Sequence, residues 1–248
     1  VTGGDPDKLI SQKILEKIIE NGADIIEIGM PFSDPMADGP TIQLSSNRAI
    51  NNSINLDSIF EISKNIRKAN IEIPIILMGY YNLILHYGID EFTKKCSSIG
   101  IDGLIIVDLQ PEEDDILYNK LKAHDISLIR LITPNTTQKR LRIITSHASG
   151  FLYYVAITGI TGQKSANMIE VKNSIKKIRE CSELPIVAGF GINTKKDVSE
   201  FCQITDGAVV GSSIVKLIEN NLNNKNKMFD LIGKFIQNLK EGTKIWIG

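Results

Sequence analysis

The stretch Leu104-Ile105-Ile106-Val107 is apolar throughout, and in an extended strand its side chains alternate between two opposite faces. Because both faces are apolar, the stretch is typical of a strand in a parallel sheet that is covered by helices on each side. Similar segments alternate with amphipathic helical segments along the whole chain, at intervals of roughly 25 to 35 residues, the span of a βα unit. The sequence therefore predicts an α/β fold built from βα units.

The alternation contains eight predicted strands when the first two residues, Val1 and Thr2, count as the end of a strand. The other strands are predicted at 24–28, 73–78, 103–107, 127–132, 151–155, 185–187 and 207–210, and the helices at 9–20, 56–68, 90–98, 112–123, 138–146, 168–180, 195–201, 213–219 and 228–239. Eight strands in a chain of 248 residues favour a single (β/α)8 TIM barrel domain over residues 1–248, since such barrels have about 250 residues. An open, doubly wound sheet is the alternative, but no G-x-G-x-x-G motif follows the first strand.

The beginning of the chain fits a barrel whose first element is incomplete. Val1 is not an initiator methionine, and it stands where a strand would end rather than begin. We therefore expect that the N-terminal helix and most of the first strand are missing from this chain, which would leave the barrel with an open seam.

The composition and the lengths of the apolar runs argue against a nucleic-acid partner and against a membrane segment. The chain has 28 basic and 29 acidic residues, a formal net charge of -1 and no basic stripe, so a small ligand is expected rather than nucleic acid. No apolar run approaches the ~18 residues that span a bilayer, and no signal peptide is visible, so we expect a cytoplasmic protein without a membrane segment. The cysteines and histidines are scattered and indicate neither a disulfide nor a metal site: Cys96, Cys181, Cys202, His86, His124 and His147.

Two carboxylates fall near the C-terminal end of a predicted strand, where the reactive groups of a (β/α)8 barrel lie. Glu27 interrupts a strand of isoleucines, where partial desolvation would raise its pKa into the range of a general acid or base. Asp38 lies in the following loop, which is long enough to bring it across the mouth of the barrel. The alternative is structural: Glu27 pairs with a buried cation, and Asp34 and Asp38 are turn residues before Pro35 and Gly39.

Other predicted strand ends carry polar side chains or glycines. Tyr80 and Asp108 follow the strands at 73–78 and 103–107. The turns Gly189-Phe190-Gly191 and Gly211-Ser212-Ser213 follow the last two strands, where glycines and a helix N-terminus favour a phosphate site. Two ordinary turns with Gly and Ser caps would have the same sequence. The segment Thr158-Gly159-Ile160-Thr161-Gly162 is typical of a lid that closes over a ligand, or of a passive loop.

At these positions the chain resembles the tryptophan synthase α subunit family, the indole-3-glycerol-phosphate lyases. The resemblance is densest from Glu27 to Gln43, where the chain reads Pro31-Phe32-Ser33-Asp34-Pro35 and Ala37-Asp38-Gly39-Pro40-Thr41-Ile42. It extends over essentially the whole chain, since further motifs follow the family's order and spacing: Gly3-Gly4-Asp5-Pro6, Tyr80-Tyr81-Asn82, Asp108 with Pro111-Glu112-Glu113, Thr158-Gly159-Ile160-Thr161-Gly162, Gly189-Phe190-Gly191-Ile192 and Gly211-Ser212-Ser213-Ile214-Val215.

The resemblance implies a cofactor-free retro-aldol cleavage of indole-3-glycerol phosphate to indole and glyceraldehyde 3-phosphate, in L-tryptophan biosynthesis. Glu27 matches the family's main acid/base, which helps to protonate indole C3 and handles the proton of the glycerol hydroxyl. Asp38 matches the carboxylate that accepts the indole N–H hydrogen bond and stabilises the positive indolenine. The residues expected to bind the substrate are Tyr80, Tyr153, Thr161, Gly162, Phe190, Gly191, Gly211 and Ser212.

The resemblance also implies a partner, the tryptophan synthase β subunit, which receives the indole in an α2β2 complex. Pyridoxal phosphate (PLP) would belong to that partner, because no lysine of this chain stands in a Schiff-base context. Asp34 and Pro35 are expected on the loop that faces the β subunit. The same interface would explain exposed apolar side chains at Met30, Phe32 and Met36.

Two other functions are compatible with parts of the sequence. Another phosphosugar-binding barrel, an isomerase or epimerase, would need a different acid/base pair and does not predict the loop at 31–40. A non-catalytic regulatory subunit of a partner enzyme would have no use for the pair formed by Glu27 and Asp38.

Overall fold

The computed structural model describes residues 1–156, 168–189 and 191–244, and within these ranges it has seven β-strands and eleven α-helices. The strands are β1 Ile26–Gly29, β2 Ile75–Gly79, β3 Gly103–Ile106, β4 Ser127–Ile132, β5 Leu152–Val155, β6 Ile186–Gly189 and β7 Gly207–Ala208. The helices are α1 Lys8–Glu20, α2 Pro40–Asn51, α3 Leu56–Ala69, α4 Tyr81–Tyr87, α5 Ile89–Ile99, α6 Asp115–Ala123, α7 Gln138–Ser146, α8 Met168–Arg179, α9 Lys195–Cys202, α10 Ser212–Glu219 and α11 Lys225–Thr243. None of the helices in these described ranges is long and apolar enough to cross a bilayer.

The chain forms two compact units, one of residues 1–127 with 212–237 and the other of residues 128–211 with 238–248. In the first unit β1, β2 and β3 are parallel, with Glu27 opposite Ile76 and Met78 opposite Ile105. All four residues of β3 are buried, as the apolar run in the sequence predicts. In the second unit β4, β5, β6 and β7 are parallel in that order.

The first two residues pair with β1, which confirms the strand end predicted there. Thr2 forms a parallel bridge with Gly29. The Gly29 amide donates to the Val1 carbonyl oxygen, and the Gly3 amide donates to the Gly29 carbonyl oxygen, both at 2.8 Å. Residues 1–3 therefore lie beside β1 at the strand end that carries Glu27.

In each unit an exposed carboxylate next to a strand helps to fix the pairing of neighbouring strands. In the first unit Asp102 accepts a hydrogen bond from the Ile75 amide at 2.7 Å and pairs with Arg67 at the end of α3. In the second unit Asp206 accepts from the Ile186 amide at 2.8 Å and pairs with Arg179 at the end of α8. Because a parallel strand slipped by one residue would present its other face, such contacts help to set which side chains reach the strand ends.

Helix α2 follows the loop that carries Asp38, and polar contacts anchor it to the chain's first residues. The Arg48 guanidinium donates from Nε and Nη2 to the two carboxylate oxygens of Asp5, both at 2.8 Å, and its Nη1 lies 3.8 Å from Glu219 of α10. The Asp5 side chain is 1% exposed. Thr2 and Ser45 share a further buried hydrogen bond. The position of α2, and with it the end of the loop, therefore depends on a buried ion pair.

Replacement of Arg48 by methionine is expected to lower the free energy of unfolding by about 3 kcal/mol, because the Asp5 carboxylate stays buried without its partner. Burial raises the pKa of Asp5, and Arg48 opposes that shift. Without Arg48 the folded-state pKa rises further above the unfolded value, so the loss is smallest below about pH 4 and grows as the pH rises. Urea denaturation at several pH values measures this.

The matched control is Lys8→Met, because the Lys8–Glu61 ion pair is exposed. Its effect is expected to stay within about 0.5 kcal/mol at every pH. An Arg48→Met protein as stable as the wild type at neutral pH would show that the Asp5–Arg48 pair does not hold α2.

Candidate active site

Glu27 lies on β1 between Ile26 and Ile28, which are both buried, and its side chain leaves the opposite face of the strand. Burial raises the pKa of the Glu27 carboxyl, and the neighbouring Asp38 carboxylate raises it further. The backbone nitrogen of Val1 donates to the Glu27 carbonyl oxygen at 2.8 Å, so residues 1–3 pair with β1 beside Glu27. No lysine or arginine side chain in the described part of the chain forms an ion pair with Glu27. A carboxyl group in this environment holds its proton to higher pH than an exposed glutamate does.

Asp38 is held at the end of the loop between β1 and α2. The Tyr80 hydroxyl accepts a hydrogen bond from the Ala37 amide at 3.1 Å and is hydrogen-bonded to the Asp38 side chain. The Gln43 side-chain amide donates to the Asp38 carbonyl oxygen at 2.8 Å. Burial raises the pKa of Asp38, and the hydrogen bond from Tyr80 opposes that shift. The structure thus brings Glu27, Asp38 and Tyr80 together, as expected for groups at neighbouring strand ends.

Asp108 fixes the backbone that positions Tyr80. It follows β3, and its Oδ1 accepts a hydrogen bond from the Tyr81 amide, the first residue of α4, at 2.8 Å. A carboxylate at a helix N-terminus satisfies a free amide and interacts favourably with the helix dipole. Since Tyr80 immediately precedes this amide, Asp108 links the end of β3 to the position of the Tyr80 ring.

The loop proposed to face a partner is partly exposed, but two of its three apolar side chains are less exposed than expected. Asp34 is exposed, Pro35 is half-buried and Met36 is 83% exposed. Met30, expected to be exposed, is only 4% exposed. Its amide donates to the Met78 carbonyl oxygen at 2.7 Å, which continues the strand pairing, and its side chain covers Gly79, where a Cβ would lie 2.6 Å from the Met30 methyl carbon.

Phe32 is half-buried rather than free on the loop surface. Its ring stacks on Tyr80, with ring centroids 5.1 Å apart and an interplanar angle of 28°. The exposed apolar surface of this loop therefore comes mainly from Met36.

In the second unit, Tyr153 of β5 lies against the end of β6. Tyr153 is 5% exposed, and a Cβ on Gly189 would lie only 2.0 Å from its hydroxyl oxygen. Gly189 is thus required by the close approach of the Tyr153 ring. Gly191 has a φ of +79°, in the left-handed region that favours glycine.

The turn before α10 has features of the predicted phosphate site. Helix α10 begins at Ser212, one residue before the start predicted at 213. At Gly211 the space that a Cβ would occupy has no neighbouring atom of the described residues within 4 Å. The amides at the start of an α-helix are favourable partners for an anion. Thr161, Gly162 and Phe190, with the remainder of the predicted lid, lie outside the described residues.

The contact between Asp38 and Tyr80 is the main feature of the site that sequence reasoning missed. Tyr80 was predicted only as a substrate contact. The residues are far apart in the sequence, and no local pattern couples a tyrosine after one strand to a carboxylate in the loop after another. The only available signal was that both positions fall at strand ends.

The arrangement in the first unit suits acid/base chemistry. The Asp38 carboxylate raises the pKa of Glu27, and burial raises the pKa of both carboxyl groups. The hydrogen bond from Tyr80 favours the ionised form of Asp38 but not that of Glu27. Environments that separate two carboxyl groups in this way assign one as the proton donor and the other as the charged partner.

Comparison with known proteins supports the same chemistry. The family model described as Tryptophan synthase alpha chain matches residues 1–244. The tryptophan synthase alpha chain of Petrotoga mobilis is 41% identical over 240 residues, which are 97% of this chain and 93% of the relative.

Solved structures match over the same length. Tryptophan synthase subunit alpha from Legionella pneumophila str. Paris has a TM-score of 0.90 at 33% identity, and the match covers 99% of this chain and 91% of the other. A structure of the tryptophan synthase a2b2 complex from Pyrococcus furiosus has a TM-score of 0.88 at 32% identity, and the match covers 97% and 96% of the two chains. These similarities confirm the predicted (β/α)8 barrel class.

Proposed function

Because the chain belongs to the tryptophan synthase alpha chain family, we propose that Glu27 and Asp38 perform that family's lyase reaction in this protein. The enzyme cleaves indole-3-glycerol phosphate to indole and glyceraldehyde 3-phosphate in tryptophan biosynthesis. It needs no cofactor of its own, and PLP belongs to the β subunit. The observation that carries the assignment of residues is the juxtaposition of a half-buried Glu27 with an Asp38 that is hydrogen-bonded to Tyr80.

The reaction breaks the bond between indole C3 and the neighbouring glycerol carbon. Glu27, whose pKa is raised by burial, donates a proton to indole C3 and forms the positive indolenine. The resulting Glu27 carboxylate then accepts the proton of the hydroxyl on that same glycerol carbon. This carbon becomes the aldehyde as the carbon–carbon bond breaks. The electron pair of that bond returns to the indole ring, so that Glu27 ends the cycle protonated.

Asp38 stabilises the charge that appears between these two proton transfers. Its carboxylate accepts the hydrogen bond from the indole N–H, whose acidity rises when C3 is protonated. A fixed negative charge in a partly desolvated site stabilises the indolenine more than it stabilises neutral substrate. Glu27 and Asp38 therefore have separate tasks.

The remaining predicted site residues are proposed to bind the substrate. Tyr80 and Tyr153 would border the indole ring, and Phe190 would join them. Gly191, Gly211 and Ser212 would bind the phosphate through backbone amides, which agrees with the open space at Gly211 and the helix start at Ser212. Thr161 and Gly162 would belong to the lid.

The β subunit is the protein partner in an α2β2 complex. We propose that Asp34 and Pro35 lie in the interface with it, since they belong to a loop with exposed residues that ends at Asp38. The largely exposed Met36 is suited to burial by a partner. We also propose that the enzyme works in the cytoplasm, in keeping with a biosynthetic family.

The lyase assignment predicts that the purified protein releases indole from indole-3-glycerol phosphate without any added metal or cofactor. Addition of a tryptophan synthase β subunit is expected to increase the rate, because binding next to the loop that ends at Asp38 favours its productive position. The measurement is indole formation over time, with and without the β subunit.

Two reactions serve as controls: one with denatured protein, and one in which glyceraldehyde 3-phosphate, which has no indole group, replaces the substrate. Failure to release indole in both the presence and the absence of the β subunit would contradict the assignment. It would instead favour a non-catalytic regulatory subunit.

A further inference from the structure

The Tyr80 hydroxyl is hydrogen-bonded to the loop that carries Asp38. Tyr80 is buried, and its oxygen accepts a hydrogen bond from the Ala37 amide at 3.1 Å. The same hydroxyl is hydrogen-bonded to the side chain of Asp38. A phenol has one proton to donate and lone pairs to accept with, so it can bind both groups at once. One hydroxyl thus holds the backbone before Asp38 and the Asp38 carboxylate itself.

The ring of Tyr80 holds the other end of the same loop. Phe32 stacks on it at a centroid distance of 5.1 Å, whereas the residues between Phe32 and Asp38 are mostly exposed. A loop with exposed residues makes few buried contacts that could define its conformation. Contacts with Tyr80 therefore contribute substantially to the position of Asp38.

Tyr80 is itself rigidly held. It follows Gly79 at the end of β2, and the next amide, that of Tyr81, donates to Asp108 after β3. The position of the Tyr80 ring is thus fixed by contacts with the ends of two strands, β2 and β3. A site is precise when its reactive group is supported by neighbours whose own positions are fixed.

We propose that Tyr80 is a positioning residue for the lyase reaction, and that its hydroxyl and ring hold the loop so that the Asp38 carboxylate is correctly oriented. This inference rests on the proposed role of Asp38. It assigns to Tyr80 a task beyond bordering the substrate.

The charges around the pair agree with this task. Burial raises the pKa of Tyr80 to about 12, so the hydroxyl remains a donor throughout the working pH range. The titratable groups that face the pair are carboxyls, Glu27 on β1 and Asp108 after β3. Among these groups the Tyr80 hydroxyl is the one that lowers the pKa of Asp38.

The substitution Tyr80→Phe tests the proposal, since it removes the hydroxyl and keeps the ring that stacks on Phe32. We expect kcat for indole release to fall roughly 10-fold or more, with a smaller change in KM. The acidic limb of the kcat profile should move to higher pH, because the pKa of Asp38 is no longer lowered by the hydrogen bond. Hydrogen exchange of the Ala37 amide should become faster, because that amide loses its acceptor.

The matched control is Tyr87→Phe, at the other end of α4. It removes a hydroxyl that donates to the exposed Asp57 at 2.9 Å, and it should leave kcat, the pH profile and Ala37 exchange unchanged. An active wild type whose Tyr80→Phe variant keeps an unshifted acidic limb and unchanged Ala37 exchange would overturn the proposal, even if the rate fell. A wild type that releases no indole would instead refute the proposed function, and Ala37 exchange would still report whether Tyr80 holds the loop.

Discussion

Replacement of Asp38 by asparagine is expected to lower kcat for indole release by roughly 100-fold, because the positive indolenine loses the negative charge that stabilises it. The side-chain amide oxygen of asparagine can still accept hydrogen bonds from the indole N–H and from Tyr80. The fall in kcat therefore measures the effect of the negative charge rather than of the size or hydrogen bonding of the side chain. The KM for indole-3-glycerol phosphate should change much less than kcat, since neutral substrate does not use the charge.

The pH dependence of the Asp38→Asn variant provides a second, independent result. The Asp38 carboxylate raises the pKa of Glu27, so its removal lowers the pKa of Glu27. Because Glu27 must be protonated to donate to indole C3, the basic limb of the kcat profile should move to lower pH. Asp57→Asn, an exposed change on α3, serves as the control and should behave as the wild type. An Asp38→Asn variant with a wild-type kcat would contradict the charge-stabilising role.

Most elements could be predicted because their apolar pattern agrees with the fold. The bounds predicted for β4 and α7 are those observed, and the other predicted elements overlap with observed ones. Helices α2 and α4 were missed. In α2 the buried side chains are the small residues Ser45, Ser46 and Ala49, so the helix has no apolar stripe to detect, and α4 is only seven residues long.

The candidate site was predictable in part for the same physical reason. A lone carboxylate among isoleucines has a high energetic cost, which pointed to Glu27 from the sequence alone. Three contacts depend on neighbouring strands: the close approach of Tyr153 to Gly189, the hydrogen bond between Tyr80 and Asp38, and the burial of Met30. Such contacts are set by register, which a one-dimensional pattern does not contain.

Glu27→Gln is expected to have the largest effect of all, a loss of roughly 1000-fold or more in kcat, because the amide can neither donate the proton to C3 nor accept the hydroxyl proton. Glutamine preserves the size of the side chain, so binding of substrate should persist. Stability should not fall at neutral pH. Since burial raises the pKa of Glu27 above its unfolded value, ionisation costs the folded wild type stability as the pH rises, and glutamine removes that cost.

The rate of indole release by Glu27→Gln at saturating indole-3-glycerol phosphate shows whether Glu27 is the acid/base of this lyase. The dissociation constant of a non-cleavable substrate analogue, measured on the same protein, shows whether the site is intact. If Glu27 is the acid/base, indole release is abolished while the analogue and the β subunit bind nearly as they do to the wild type. Steady-state indole release close to the wild-type rate would contradict it.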